Sequence, residues 1–242
     1  METLDHLDAQ RQVWDNKPVI RALYGHYHQL MASHCVPGKV VEIGAGCGNL
    51  KASNRSVVSM DIVNSNWVNL VGDAEQLPFA DQCLDNIVML DVLHHIRFPL
   101  RFLAEASRTL RPGGRLVILE PGITPISNIF YSALHPEPVD MSADLFSATP
   151  QSSQDPFDSN QAIPTLLFSR AMAATCAAVP QLTLTHQEWL GLASYPLSGG
   201  FRPWQLLTPR TLKWCLRLES YTPSWLKALS AFRLFTVLAR TD

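Results

Sequence analysis

The chain has 242 residues, of which 47% are hydrophobic, 17% charged and 9% aromatic. That composition suits one large core, or a core with a modest insert, and excludes intrinsic disorder and collagen-like repetition. A net charge of -2 and a pI near 6.4 argue against a nucleic-acid binder that relies on bulk positive charge. The five cysteines are Cys35, Cys47, Cys83, Cys176 and Cys215, an odd number with no CxxC pair, so neither a disulfide framework nor a zinc site is predicted. The N-terminus carries acids and no apolar h-region, and no apolar run reaches membrane-spanning length. The expectation is a cytoplasmic protein without signal peptide or membrane span.

Residues 1–36 read as helical, with Val19, Ile20, Leu23, Tyr27, Leu30 and Met31 at three- and four-residue spacings, and Pro37-Gly38 stops the run. Short apolar runs then alternate with polar connectors. Strands are predicted at residues 39–43, 56–61, 67–71, 86–90 and 115–119. A helix is predicted over 99–110, with Leu100, Leu103, Ala104, Ser107 and Leu110 on one face. Strands apolar throughout are covered on both faces, which points to a parallel sheet in an α/β fold. Residues 121–164 hold seven prolines and a Ser/Gln/Asp-rich stretch at 151–161, the texture of a lid or substrate loop. Further on, 165–178 reads as a helix, 182–192 alternates, 208–231 reads as one or two helices, and 233–238 as a last strand.

Residues 200–242 carry seven basic side chains against Glu219 and Asp242, a net +5, which leaves -7 for residues 1–199. Trp204, Trp214, Trp225 and several leucines are mixed among them. Two readings stand. One is peripheral contact with an anionic membrane surface; the other is a core-facing amphipathic helix with a solvated basic face. His26-x-His28 and His34-Cys35 suggest a metal cluster on paper, but helix neighbours two apart point to different faces, so no metal is expected.

The strongest local signal is residues 40–48, VVEIGAGCG. Glycines at alternate positions directly after a strand let backbone turn sharply and approach a ligand without Cβ obstruction. The spacing is GxGxG, not the dinucleotide GxGxxG, and no Gly-Lys-Ser/Thr follows. Acids then recur at successive strand ends: Asp61, Asp73 and Asp91. A carboxylate at the second strand end can accept from both hydroxyls of a ribose lying across the sheet edge. An Asp after the third strand can accept from an adenine amino group.

At this point the chain resembles the class I S-adenosylmethionine-dependent methyltransferases, in particular the small-molecule group related to ubiquinone and menaquinone methylases. VVEIGAGCG, SMDI, GDAEQLPF, LDNIVMLDVLHHI and LRPGGRLVILEPG are similar to that family's motifs in order and spacing, over about residues 36–122. The resemblance implies a Rossmann-like α/β fold with seven strands, mostly parallel. One strand is reversed (233–239), helices cover both faces, and a substrate loop is inserted. It implies a single domain over 1–242, with an N-terminal helical segment 1–36, a cofactor-binding half 37–122 and a substrate half 123–242.

Residue by residue, the resemblance implies S-adenosyl-L-methionine as cofactor. Gly44, Ala45, Gly46 and Gly48 form the loop beneath its methionine part, and Glu42 is oriented toward its ammonium through water. Asp61 sits at the ribose, Ile62 on the adenine, Asp73 and the Ala74 amide at the adenine amino group, and Asp91 near the methionine end. Only residues 49–55 lie between the glycine loop and the second strand, so that crossover helix is trimmed.

A hydroxyl or acidic-carbon acceptor needs a general base, and His94 and His95, just past the fourth strand, are the candidates. Tyr131 and His135 are candidates to meet the substrate. The acceptor is expected to be a small molecule, lipid-linked or glycan-linked. A scaffold that binds the cofactor without catalysis and acts through a partner is the alternative. A nicotinamide oxidoreductase is disfavoured by the loop spacing and the lack of a Tyr-x-x-x-Lys pair in the right region.

Overall fold

A computed structural model describes residues 2–134, 137–146 and 159–242. Among them lies one seven-stranded sheet: β1 (Val40–Ile43), β2 (Val58–Asp61), β3 (Leu70–Val71), β4 (Leu84–Leu90), β5 (Leu110–Pro121), β6 (Leu182–Leu190) and β7 (Arg233–Arg240). The strand order is β3-β2-β1-β4-β5-β7-β6. β1 to β5 pair in parallel, while β7 runs antiparallel to both its neighbours and is the one reversed strand. The chain moves outward through β2 and β3, then returns to place β4 on the other side of β1. The carboxyl ends of β1 and β4 therefore flank the point where strand order reverses, the ligand crevice of open α/β sheets.

Strand alternation sorts the core into two layers. Ile87, Met89, Leu116 and Ile118 face one side, where Phe102, Leu103 and Ala106 of α4 (Pro99–Thr109) cover them together with Leu167 and Phe168. Val88, Val117, Leu119, Phe235 and Val237 face the other, under Val19, Ile20, Leu23, Tyr24, Tyr27 and Met31 of α2 (Pro18–Ser33). Pro at the first position of α2 and α4 supplies a φ suited to helix entry where no intrahelical N–H bond is needed. The buried face of α4 is rotated from the sequence expectation. Phe102 and Ala106 are buried while Ala104 is exposed, because the bulkier Phe102 is the side chain that fills the layer.

The N-terminal helical run is broken in two, α1 (Glu2–Asn16) and α2, at Lys17. The Lys17 ammonium is buried and donates to the carbonyls of Gly200, Arg202 and Trp204 at 2.7–2.8 Å, which ties the N-terminal helices to the C-terminal half. As expected, α3 (Asn49–Ser53) is a trimmed crossover. The helix expected over 165–178 is instead composite. A single turn, α6 (Ile163–Thr165), leads into a wide π-type turn (Leu166–Arg170) and then α7 (Met172–Ala178). Thr175 Oγ1 donates to the Leu167 carbonyl at 2.9 Å across that break. The remaining helices are α5 (Pro125–Leu134), α8 (Ser194–Ser198), α9 (Pro209–Ser220) and α10 (Ser224–Ser230). Among the described residues no helix is long and apolar enough to cross a membrane.

Candidate functional site

The glycine loop leaves β1 at the switch point. Gly44, Gly46 and Gly48 have φ of +69°, +50° and +72°. Gly44 is the most constrained: a Cβ there would lie 2.2 Å from Cγ2 of Val92, a residue of the β4 exit. The side chain at this position is therefore excluded by the neighbouring strand exit as well as by backbone conformation. The loop is braced from β2. Asp61 Oδ2 accepts from the Gly46 amide at 2.7 Å and Oδ1 from the Val63 amide at 2.9 Å, while the Ala45 amide donates to the Met60 carbonyl. α1 crosses the same loop, with Arg11 Nη1 donating to the Cys47 carbonyl at 3.1 Å.

Glu42, in β1 directly before the loop, is buried, and its Oε2 has no hydrogen-bond partner. Burial, then the nearby charge of Asp61, pushes its carboxyl up to about 8, against a smaller opposing effect of Lys51. A buried acceptor atom with nothing to accept from is costly. An ammonium reaching it relieves both the missing partner and the shifted titration, so the residues fit a cationic amino-acid moiety on this loop. Further along the edge, Ile62 is exposed. Asp73 is exposed too, its Oδ1 accepting from the Glu75 amide at 2.8 Å, and Glu75 in turn accepts from the Phe98 amide. Ala74 is half-buried between them.

Asp91 follows β4 in a left-handed conformation, φ +59°. Tyr24 Oη donates to its Oδ2 at 2.8 Å, and its Oδ1 pairs with the wholly buried Arg233 guanidinium. The guanidinium carbon lies 4.8 Å from the Tyr195 ring centre and 5.8 Å from that of Tyr27. Asp91 is thus held from α2 and β7, its charge balanced within the protein. Arg233 was legible only as an odd cation opening an apolar strand, and its partner was not legible at all.

The His94-His95 pair occupies a 3-10 turn, Leu93–His95, held by the buried Glu120 at the end of β5. Glu120 Oε1 accepts from the Val92 and Leu93 amides at 2.7 and 2.9 Å, and Oε2 faces His94 Nδ1 at 2.6 Å. The other ring nitrogen of His94 lies 3.3 Å from Glu137. Burial alone would lower the His94 pKa, but hydrogen bonds and charge from Glu120 and Glu137 outweigh it and hold the ring up at about 9. That shift runs against a general-base role for His94, because a ring paired with two carboxylates favours its protonated form. The His95 ring, half-buried, stacks on it at 4.2 Å.

Ligating atoms of His94, His95 and Glu137 lie within 4.8 Å of one another, and among the described residues this is the grouping that could hold a metal ion. On α2, His28 is buried and its pKa is lowered by burial to about 4.

Glu137 belongs to the proline-rich segment, so its pairing with His94 fastens that segment at the sheet edge. The Asn160 amide donates to the His94 carbonyl at 2.8 Å, and Asn160 exchanges bonds with the Asp140 backbone through both side-chain atoms. Gln161 Nε2 bonds Glu137. Tyr131 is buried, packs with Phe130 and Phe232, and donates to the Phe232 carbonyl at 3.0 Å, so its hydroxyl is engaged within the core. His135 lies outside the described residues.

A family profile described as a methyltransferase domain matches residues 22–118. That span takes in most of α2, the glycine loop, all three acids and the histidine turn. Over those residues the chain is similar to the class I S-adenosylmethionine-dependent methyltransferases. The demethylmenaquinone methyltransferase of Renibacterium salmoninarum is 35% identical over 81 residues, 34% of this chain and 31% of that protein. The chain spans less than half the length of the curated relatives it matches. Among solved structures, the geranyl diphosphate C-methyltransferase of Streptomyces coelicolor A3(2) superposes with a TM-score of 0.52 at 14% identity, covering 90% of this chain and 80% of that one. A (4+2) cyclase superposes equally well, with a TM-score of 0.52 at 14% identity, 89% of this chain and 81% of that one. The methyltransferase fold thus hosts more than one chemistry, and the activity has to be argued from the site.

Proposed function

We propose that this chain transfers a methyl group from S-adenosylmethionine to a small-molecule or lipid- or glycan-linked acceptor held beneath the segment that Glu137 fastens. The observation that carries the reading is the buried Glu42 carboxyl, its Oε2 without a hydrogen-bond partner, beside a glycine loop braced by Asp61 at the switch point. When bound, the cofactor supplies an electrophilic methyl on a sulfonium, whose C–S bond breaks as the acceptor bond forms.

In this reading Gly44, Ala45 and Gly46 lie under the methionine part, and Gly48 completes the turn. Glu42 neutralises the ammonium. Each Asp61 oxygen already takes one backbone N–H and has a further lone pair for a ribose hydroxyl. Ile62 supports the adenine, and Asp73 with the Ala74 amide reads its amino edge. Asp91, already balanced by Arg233, borders the methionine end. His95 takes the general-base role, since His94 is spent on Glu120 and Glu137. Pairing of His94 with Glu137 keeps the acceptor segment closed over the edge, which excludes water and aligns the acceptor.

The similarity to quinone methylases covers the cofactor half. A quinone is therefore one acceptor class to try, beside polyketide, glycolipid and sugar-precursor acceptors. Calorimetry with S-adenosylmethionine and S-adenosylhomocysteine on wild type, Glu42→Gln and Asp61→Ala tests the reading. Micromolar binding weakened in both variants is expected. A wild type that binds neither compound sinks it. His95→Gln is expected to abolish turnover with cofactor affinity intact, and an active variant removes the base role.

A further inference from the structure

α9 has two faces, and the outward one is not what water alone selects. Leu212 is fully buried, and Cys215, Leu216 and Glu219 beside it are half-buried. Glu219 fixes the helix rotation by accepting from the Ala193 and Ser194 amides at 2.6 and 2.7 Å. The opposite stripe, at spacings of three and four, is Arg210, Lys213, Trp214, Arg217, Leu218 and Tyr221. Trp214, Leu218 and Tyr221 are 66%, 70% and 75% exposed.

α10 continues the pattern, with Trp225 and Leu229 outward and Lys227 turned in to pair with Glu188 at 2.6 Å. It packs against α5, which exposes Ile126 and Ile129. A shallow depression of about 310 Å³ on the stripe is lined by Arg210, Lys213, Trp214 and Arg217. α9 is thus a core-facing amphipathic helix with a basic outer face, and that outer face also carries an exposed indole, Trp214. The count of seven cations narrows as well. Arg233 and Arg240 are buried and Lys227 is paired, so the free charge concentrates on the α9 stripe.

We propose that the α9–α10 face seats the protein on an anionic lipid bilayer. Protein–protein interfaces enrich Arg and aromatic residues but mix them with acids at the rim, whereas here Arg210, Lys213 and Arg217 stand beside exposed apolar side chains on α9 and no acid interrupts the stripe. That is the composition of a helix lying in a headgroup layer: aromatic rings at the boundary, leucine below it, and lysine and arginine on the phosphates. One consequence rests on the methyl-transfer reading. α5 links this face to the carboxyl edge, so an acceptor carried in the bilayer meets the site from the docked side.

The test is flotation of the full chain with neutral and with phosphatidylglycerol-containing vesicles at about 0.1 M and about 0.5 M salt. Lys213→Glu/Arg217→Glu and Trp214→Ala/Trp225→Ala double variants are run alongside, all at exposed positions. Flotation with the anionic vesicles at low salt, weakened by high salt and at least about tenfold in the charge-reversed variant, is expected. Quenching of tryptophan fluorescence by brominated lipid should fall in the tryptophan variant. No flotation with anionic vesicles, or flotation equal in wild type and both variants, overturns the proposal. So does a concentration-dependent dimer without vesicle binding that the tryptophan substitutions dissolve, since the face then belongs to a second copy. S-adenosylhomocysteine calorimetry on the same samples separates the two ideas, because intact binding without flotation removes the docking face and leaves the methyl-transfer reading standing.

Discussion

Glu42 makes the folded protein sensitive to pH in a way that its amide analogue removes. A carboxyl raised from 4.5 to about 8 by burial favours the folded state in acid. Its contribution is full below about pH 4.5 and is lost as pH rises through 8, where the unfolded chain ionises freely and the folded one is penalised. At 1.36 kcal/mol per unit the whole window is worth about 5 kcal/mol, a ceiling for a group buried this deeply. Glu42→Gln keeps the shape and removes the titration. Denaturant unfolding of the cofactor-free proteins at pH 5, 7 and 9 should show near-equal stability at the lowest pH. The variant should then lead by several kcal/mol at the highest. Comparing the two proteins cancels shared titrations such as that of His94. At pH 7 a group with this titration is about 90% protonated, so capture of an ammonium beside it should release close to one proton. The calorimetric enthalpy of S-adenosylhomocysteine binding should then vary with the buffer's ionisation enthalpy in wild type and not in the variant. Parallel stability curves refute the burial argument. A buffer-independent enthalpy in wild type refutes the ammonium contact.

Three further outcomes are expected. Gly44→Ala should destabilise by about 2–4 kcal/mol through the clash with Val92, and Val92→Ala in the same chain should recover part of the loss; no recovery would place the cost in the backbone alone. His94→Gln and Glu120→Gln should each cost about 3–5 kcal/mol by stranding a buried partner, with the double variant costing clearly less than the sum, and simple additivity in urea midpoints would deny the coupling. Tyr131→Phe should lose about 1 kcal/mol of stability and no catalytic rate, so a rate loss at unchanged stability would return Tyr131 to the acceptor surface.

Much of the sheet and its binding edge was legible residue by residue because the signals are local. A glycine loop after an apolar strand, acids at the next strand ends and a reversed last strand all register in short windows, since alternation and turn chemistry act over a few residues. Asp61 is the clearest case. Its place at a strand end was readable, although its brace on the Gly46 amide was not. What the sequence could not show shares one cause. His94 read as a base candidate from its place just past the fourth strand, whereas its surroundings are set by Glu120 and Glu137, 26 and 43 positions away. Tyr131 read as a substrate candidate from its place in a proline-rich stretch, and its partner Phe232 comes from the far end of the chain. The tail shows the division plainly. Composition established that cations and indoles are mixed there, and helical spacing put them on stripes. Which stripe faces water depended on Leu212 finding the core and Glu219 finding the Ala193–Ser194 amides. Local chemistry sets which elements form and where a ligand edge must lie. Charge state, burial and the outward face are sums over contacts distant in sequence, and those exist only once the chain has packed.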